Sequence, residues 1–277
     1  MKLAFQTNDA LLADIARARA EGCARLWWLG QSGFLVCTKE ATVLFDPYLS
    51  DSLTTKYAAT DKPHTRITER VIAPGRLSGL DVITSSHNHT DHLDAETLLP
   101  LLAANPQAKL LIPRANRTLV LERLGQVGSS LVELDAGESV RVAGVTFHGI
   151  AAAHNTVERD AHGCCRFLGY VAEMAGRTLY HSGDTLLHDQ LIPSLKRYQP
   201  DVAFLPINGN QPERRVAGNL TGREAAQLAW DIKAGVAIPH HFDMFEFNTA
   251  SPDEFVAECR RLGQRARVLQ NGEGLDL

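Results

Sequence analysis

No stretch of this chain is apolar for long enough to cross a bilayer, since a spanning helix needs about 20 such residues. The opening residues 1–9, MKLAFQTND, also lack the apolar core of a secretory signal. Cysteine is scarce, and Cys23, Cys37, Cys164, Cys165 and Cys259 show no C-x-x-C spacing. That argues against a disulfide framework or a thiolate metal site and makes the reducing cytoplasm the expected location. There is no basic excess either. Lys and Arg number 28 against 32 Asp and Glu, a formal net charge of −4, which removes any general attraction to nucleic acid or to an anionic membrane. Internal repeats, low-complexity tracts and linker composition are absent as well, so a single domain over 1–277 is the expectation.

What remains is an ordinary balance of 44% apolar and 22% charged residues, enough for a substantial core. Apolar periodicity and turn residues place helices over 9–21, 114–124, 187–198, 223–233 and 252–262. Strands are expected over 24–29, 34–38, 42–45, 80–84, 109–112, 131–134, 139–142, 145–152, 167–174, 177–180, 201–207 and 266–269. Residues 48–74 are polar and irregular and carry Asp51, Lys56, Asp61, Lys62, His64 and Arg66. A long segment of that kind inside a compact domain is more often functional than idle, so it is a candidate rim for a substrate pocket. A plain surface excursion fits it equally well.

One stretch concentrates chemistry. His87-Asn88-His89-Thr90-Asp91-His92 puts three imidazoles and a carboxylate within six residues. It follows the apolar run 80–84 and precedes Asp94, read as the N-cap of a helix carrying Ala95, Leu98, Leu99 and Leu102. The side chains therefore sit on a tight strand-to-helix turn and can converge on one point. Nitrogen and carboxylate donors suit a borderline divalent cation such as zinc or manganese. His87 and His89 can clamp one ion. Asp91 and His92 cannot easily reach the same ion and so suggest a second. A polar turn with surface histidines would account for one imidazole, but not for this H-x-H-x-D-H pattern.

The pattern resembles that of the metallo-β-lactamase superfamily of metallohydrolases, and Trp27-Trp28-Leu29-Gly30-Gln31 with Phe45-Asp46-Pro47 is similar to its N-terminal meander. The resemblance covers most of the chain from Trp27 onward. It implies an α/β fold, an αββα four-layer sandwich of two mixed β-sheets flanked by helices, with the ligands at one edge. It also implies the remaining ligands. His154, after the small residues Ala151-Ala152-Ala153, falls where the family places the third ligand of its first metal. Asp184, in Tyr180-His181-Ser182-Gly183-Asp184-Thr185, falls where a carboxylate bridges two metals, with Thr185 orienting it. His241, second after Pro239, takes the final ligand position and leaves His240 as a pocket residue or one that supports the ligands from behind; exchange of these two is the main alternative. Asp46 either holds a ligand histidine from behind or is a turn carboxylate before Pro47. His148 and His181 read as structural histidines.

Tyr180-His181-Ser182-Gly183-Asp184, Ile238-Pro239-His240-His241 and Asn219-Leu220-Thr221 are similar to the ascorbate-6-phosphate lactonase-like branch. The implied centre holds two divalent metal ions, zinc or manganese, on His87, His89 and His154, on Asp91, His92 and His241, and on a bridging Asp184. Such a pair ionises a bridging water near neutral pH and needs no serine or cysteine nucleophile. Asp91, Asp184 and His241 are thereby the expected catalytic residues. The implied reaction is opening of a small ester, most specifically a lactone of a phosphorylated sugar acid. Arg214, Arg215, His240 and Asn219 are the candidate substrate-binding residues. The two arginines read either as a bidentate phosphate clamp or as solvated surface charges. A phosphodiesterase or nuclease on the same metals competes, though the acidic chain disfavours nucleic acid as a partner. A non-enzymatic metal-binding module fits poorly with an intact ligand set. A flavin-linked di-iron oxidoreductase is disfavoured because His89 stands where that variant has a glutamate. A small-molecule substrate is the expected partner, and a homo-oligomer stays open.

Overall fold

Alternation of large apolar side chains, two residues per repeat, builds the first sheet. A computed structural model describes residues 1–277, the side chain of Ser129 excepted. Strands β1 (Arg25–Gly30), β2 (Gly33–Cys37), β3 (Thr42–Phe45), β4 (Val82–Thr84), β5 (Lys109–Pro113) and β6 (Leu131–Leu134) lie side by side in that order. The sheet is mixed, antiparallel from β1 to β3 and parallel from β3 to β6. Leu26, Trp28, Phe34, Val36, Val43 and Phe45 enter one core, and Trp27, Leu29, Leu35, Cys37 and Leu44 enter another. Cover on both faces is why these strands read as continuous apolar runs.

Strands β7 (Ser139–Val142), β8 (Val145–Ala151), β9 (Leu168–Met174), β10 (Arg177–His181), β11 (Val202–Pro206) and β12 (Val236–His240) form the second sheet. It is antiparallel from β7 to β10 and parallel from β10 to β12. Phe34 stacks on Phe204 across the two inner faces, ring centroids 4.1 Å apart. The helices are α1 (Asn8–Glu21), α2 (Ser52–Tyr57), α3 (Ala95–Ala104), α4 (Arg117–Leu124), α5 (Leu191–Leu195), α6 (Gly222–Asp231) and α7 (Asp253–Leu262). Leu11 and Ile15 of α1, Leu98 and Leu101 of α3 and Val120 of α4 are buried against the outer face of the first sheet. Leu191, Leu195, Leu228 and Phe255 of α5, α6 and α7 are buried against the second. Each such side chain contributes about 1.5–3 kcal/mol. The layers run helix, sheet, sheet, helix, the αββα sandwich expected from the sequence.

Three local expectations change. The helix expected over 187–198 contracts to α5, because Pro193 sits in its first turn and its ring would clash with the carbonyl of residue 189 in a longer helix. Residues 266–269 make only a single bridge, Ala266 to Ala237. The last strand is β13 (Gly274–Asp276), which pairs with the open edge of β1; local pattern carries no information about which sheet edge is open. Residues 48–74 are not wholly irregular, since α2 forms within them. Among the described residues no helix is long and apolar enough to cross a membrane.

Candidate metal centre

Five strands from both sheets end at the same edge. Asp46 follows β3, residues 87–92 follow β4, His154 lies beyond β8, Asp184 beyond β10 and His241 directly after β12. Crevices outside the carboxyl ends of strands are where open α/β sheets place ligands. The chain leaves β3, β10 and β12 through left-handed residues, Asp46, Gly183 and His241, at φ 38°, 59° and 62°. At Gly183 a side chain has no room, because a Cβ would come within 2.7 Å of Ser86 Cβ and Oγ.

These turns bring seven donors together. His87, His89 and His154 offer ring nitrogens within 4.8 Å of one another, and Asp91, His92, Asp184 and His241 form a second set by the same measure. Asp184 stands between the sets, with Oδ1 3.3 Å from His92 Nε2 and Oδ2 3.3 Å from His241 Nε2 and 3.7 Å from His154 Nε2. Asp91 Oδ2 lies 3.4 Å from His241 Nε2 and 3.6 Å from His92 Nε2. Hydrogen bonds behind the cluster set the rings. His92 Nδ1–H donates to Asp46 Oδ2 at 2.7 Å, and His154 Nδ1–H donates to the Gly218 carbonyl at 2.8 Å. Both Nε2 lone pairs are thereby aimed into the cluster. Asp46 is fully buried and also accepts from Thr84 Oγ1 at 2.7 Å and Ser86 N at 3.1 Å.

The residues fit a bound cation. Nε2 of His87, Nε2 of His92 and Oδ1 of Asp184 are buried with no hydrogen-bond partner, and leaving such atoms bare costs about 1–3 kcal/mol each. A divalent ion on nitrogen and carboxylate donors would satisfy all three. The electrostatics agree. Burial acts to raise the Asp184 and Asp91 carboxyls, yet His241 and His92 hold both well below the usual range. Burial acts to lower His92 and His241, and Asp184 with Asp91 overcomes it, taking His92 well above its usual value and His241 up to about 9. Imidazole and carboxylate must be deprotonated to hold a cation, so metal binding here should displace any protons these groups carry. Burial keeps His87 well below its usual value and takes His89 down to about 4, which leaves both as neutral donors.

The cluster floors a cleft of about 560 Å³. Its walls include Leu53, Lys56, Tyr57, Lys62 and His64 from the 48–74 segment, Arg123 from α4, Phe167, and Arg215, Val216 and Ala217 from the loop before α6. Arg215 lines the cleft but is spoken for, because its guanidinium pairs with Asp61 and its carbonyl accepts from Lys62 Nζ. Arg214 does not line it. Its guanidinium donates to the Asn208 carbonyl and to Asn248 Oδ1, bracing the loop from behind. His240 is likewise not a pocket residue. As the last residue of β12 it alternates into the core, where it stacks on His181 at 5.2 Å and sits 3.2 Å from Ser32 Oγ, while His241 turns out to the cleft. Asn219 is fully buried and off the cleft wall. Thr185 does not orient Asp184 by a hydrogen bond. Its Oγ1 accepts from Ala153 N at 3.0 Å and donates to the Leu186 carbonyl at 2.8 Å, steadying the strand end that carries His154.

Residues 41–242, well over half of the chain, match the family described as the beta-lactamase superfamily domain. The chain belongs to that superfamily. It is similar to the UPF0173 metal-dependent hydrolase of Myxococcus xanthus, 27% identical over 260 residues that span 91% of this chain and 82% of that protein. In three dimensions it is similar to Igni18, a metallo hydrolase of Ignicoccus hospitalis, with a TM-score of 0.67 at 20% identity over 92% of this chain and 98% of that one. The isothiocyanate hydrolase from Delia radicum gut bacteria superposes with a TM-score of 0.72 at 17% identity, over 91% and 99% of the two chains. At those identities the two structures speak for a shared fold, the metallo-β-lactamase sandwich.

Sequence reasoning passed over several groups at this superfamily site. Gln31 belongs to the meander motif in the sequence, and its Nε2 donates to Asp91 Oδ2 at 2.9 Å beside the His241 ring. Lys56 lies on the 48–74 segment expected as a candidate pocket rim and does line the cleft, whereas Arg123 stands in the sequence only as part of a helix. Nothing in its neighbourhood marks Arg123, because α4 reaches the cleft through tertiary packing alone.

Proposed function

We propose that this chain is a metal-dependent hydrolase that opens a small ester, with lactones as the substrate class to test first. The observation that carries the reading is two neighbouring ligand sets, with Asp184 of the second 3.7 Å from His154 of the first, on the floor of a cleft whose described lining contains no serine or cysteine. His87, His89 and His154 would hold one divalent ion, Asp91, His92 and His241 the other, and Asp184 both. When bound, the ions supply Lewis-acid polarisation of the scissile group and a water activated near neutral pH. The chain itself supplies orientation. Asp46 and the Gly218 carbonyl keep His92 and His154 in the tautomer that presents Nε2. Gln31 holds Asp91 Oδ2 on the cleft floor, where it can take a proton from the attacking water and return it to the departing alkoxide. The description of the Myxococcus xanthus relative as a metal-dependent hydrolase supports the same class. The test is to strip the protein with a chelator, reload it with zinc or manganese, and assay simple lactones, phosphorylated sugar lactones and phosphodiesters. Lactone hydrolysis that is lost with the metal and restored by reloading is the expected result. Turnover of phosphodiesters alone, or of nothing while the metal is demonstrably bound, would overturn the ester reading.

A further inference from the structure

Apart from Arg215, three cations line the cleft against one carboxylate outside the ligand cluster, Glu158. The three are Lys56, Lys62 and Arg123, and among the described residues none has a carboxylate within 4.0 Å, although the whole chain is acidic at −4. The ion pair that is present there, Arg215 with Asp61, uses up the fourth cation of the wall. Two of the three unpaired cations are fastened to the ligand turn itself. Lys56 Nζ donates to Thr90 Oγ1 at 3.1 Å, and Arg123 Nη1 donates to the Asn88 carbonyl at 2.8 Å and the Leu93 carbonyl at 2.9 Å. Helix α2 brings the lysine and α4 the arginine, and both charges lie against the turn that carries residues 87–92. Arg123 is half-buried, and burial lowers its pKa with only Asp94 acting against the shift. A desolvated guanidinium with no counter-ion is unfavourable unless something anionic arrives to meet it. Nη1 of Arg123 is committed to backbone, which fixes the plane of the guanidinium and leaves its other nitrogens for a ligand.

We propose that Lys56 and Arg123 form an oxyanion-binding subsite, so that the preferred substrate is a small ester bearing a second, non-reacting anionic group, carboxylate or phosphate. The subsite holds that group to one side of the ligand turn while the ester lies over the metal ligands. It assigns the anion to the wall made by α2 and α4, and not to Arg214 and Arg215, which are engaged elsewhere. The proposal rests on the ester-hydrolase reading for its chemistry, but binding tests it independently of that reading.

Three ketones that cannot be hydrolysed serve as binding probes for the metal-loaded protein by calorimetry: levulinate, its phosphonate counterpart, and neutral pentan-2-one of the same shape. The wild type should bind one of the anionic ketones at least tenfold more tightly than the neutral one, and which of the two it favours distinguishes carboxylate from phosphate. Lys56→Gln and Arg123→Gln should each weaken the anionic ketone by roughly 10- to 100-fold, the scale of a lost charge-assisted hydrogen bond. Binding of the neutral ketone should be unaltered. Arg123→Lys, which keeps the charge, should recover part of the loss. Metal content and thermal melting of every variant show whether the ligand turn is intact. Monoethyl succinate, its phosphonate counterpart and ethyl butanoate then repeat the comparison in turnover, where the variants should raise KM for the anionic esters and leave kcat near wild type. A wild type that does not prefer the anionic ketones, or variants that weaken charged and neutral ketones alike, would overturn the subsite. Selective binding without turnover of any ester would uphold the subsite and sink the ester reading instead.

Discussion

Asp46→Asn keeps the volume of a carboxylate that accepts from His92 Nδ1 at 2.7 Å, Thr84 Oγ1 at 2.7 Å and Ser86 N at 3.1 Å, while removing its charge and one of its two acceptor oxygens. The amide must therefore present an N–H to one of these donors, and the bond most exposed to loss is the one that fixes the His92 ring. A hydrogen bond to a charged group contributes about 1.5–3 kcal/mol. Outer partners of ligand histidines set metal affinity by roughly 10- to 100-fold, and at ~1.4 kcal/mol per factor of ten the two scales agree. Asp46→Ala strands all three donors in a fully buried place and should cost about 3–5 kcal/mol of folding stability. Competition against a chelating dye measures the first effect, and melting of the metal-free protein measures the second. If the folded Asn variant holds its metal as tightly as wild type, Asp46 is a turn carboxylate and not the support of His92.

Gly183→Ala forces a side chain into a left-handed residue whose Cβ position lies 2.7 Å from Ser86. It should cost about 1–3 kcal/mol and, by displacing Asp184, lower the bound metal per chain; a variant that melts and binds metal like wild type would contradict the placement. Asp14 accepts from Trp27 Nε1 at 2.8 Å and Gln6 Nε2 at 3.0 Å, and although burial raises its pKa, these bonds and Arg25 hold it below the usual carboxylate value. A depressed folded-state pKa means that its contribution is present above the unfolded value of about 3.9 and is lost as pH falls through the folded one. Asp14→Asn should therefore lower the melting temperature near neutrality and shrink the difference from wild type in acid, which melting curves from neutral pH downward would show; a constant difference across that range would refute the linkage.

Much of the centre was legible because its first four donors are neighbours in the chain. Once the apolar run before His87 is read as a buried strand, side chains crowded on the turn after it must share one region of space, whatever the rest of the molecule does. The near-continuous apolar runs of β1 to β3 likewise agree with a sheet covered on both faces. His154, Asp184 and His241 have no local signal of that strength and were reached through resemblance to a family. The choice between His240 and His241 belongs to the tertiary structure, because Pro-His-His is ambiguous until strand alternation sends the first ring to Phe34 and His181 and a left-handed residue turns the second outward. The arginines show the same division. Two consecutive guanidiniums in a loop look equally available in sequence, but Asn208 and Asn248 take one and Asp61, 154 positions away, takes the other. Which cations stay unpaired beside the metal ligands depends on contacts between distant segments. Composition and spacing decide that the chain can build such a site, and only the packing of α2 and α4 against the ligand turn decides that Lys56 and Arg123 face into it.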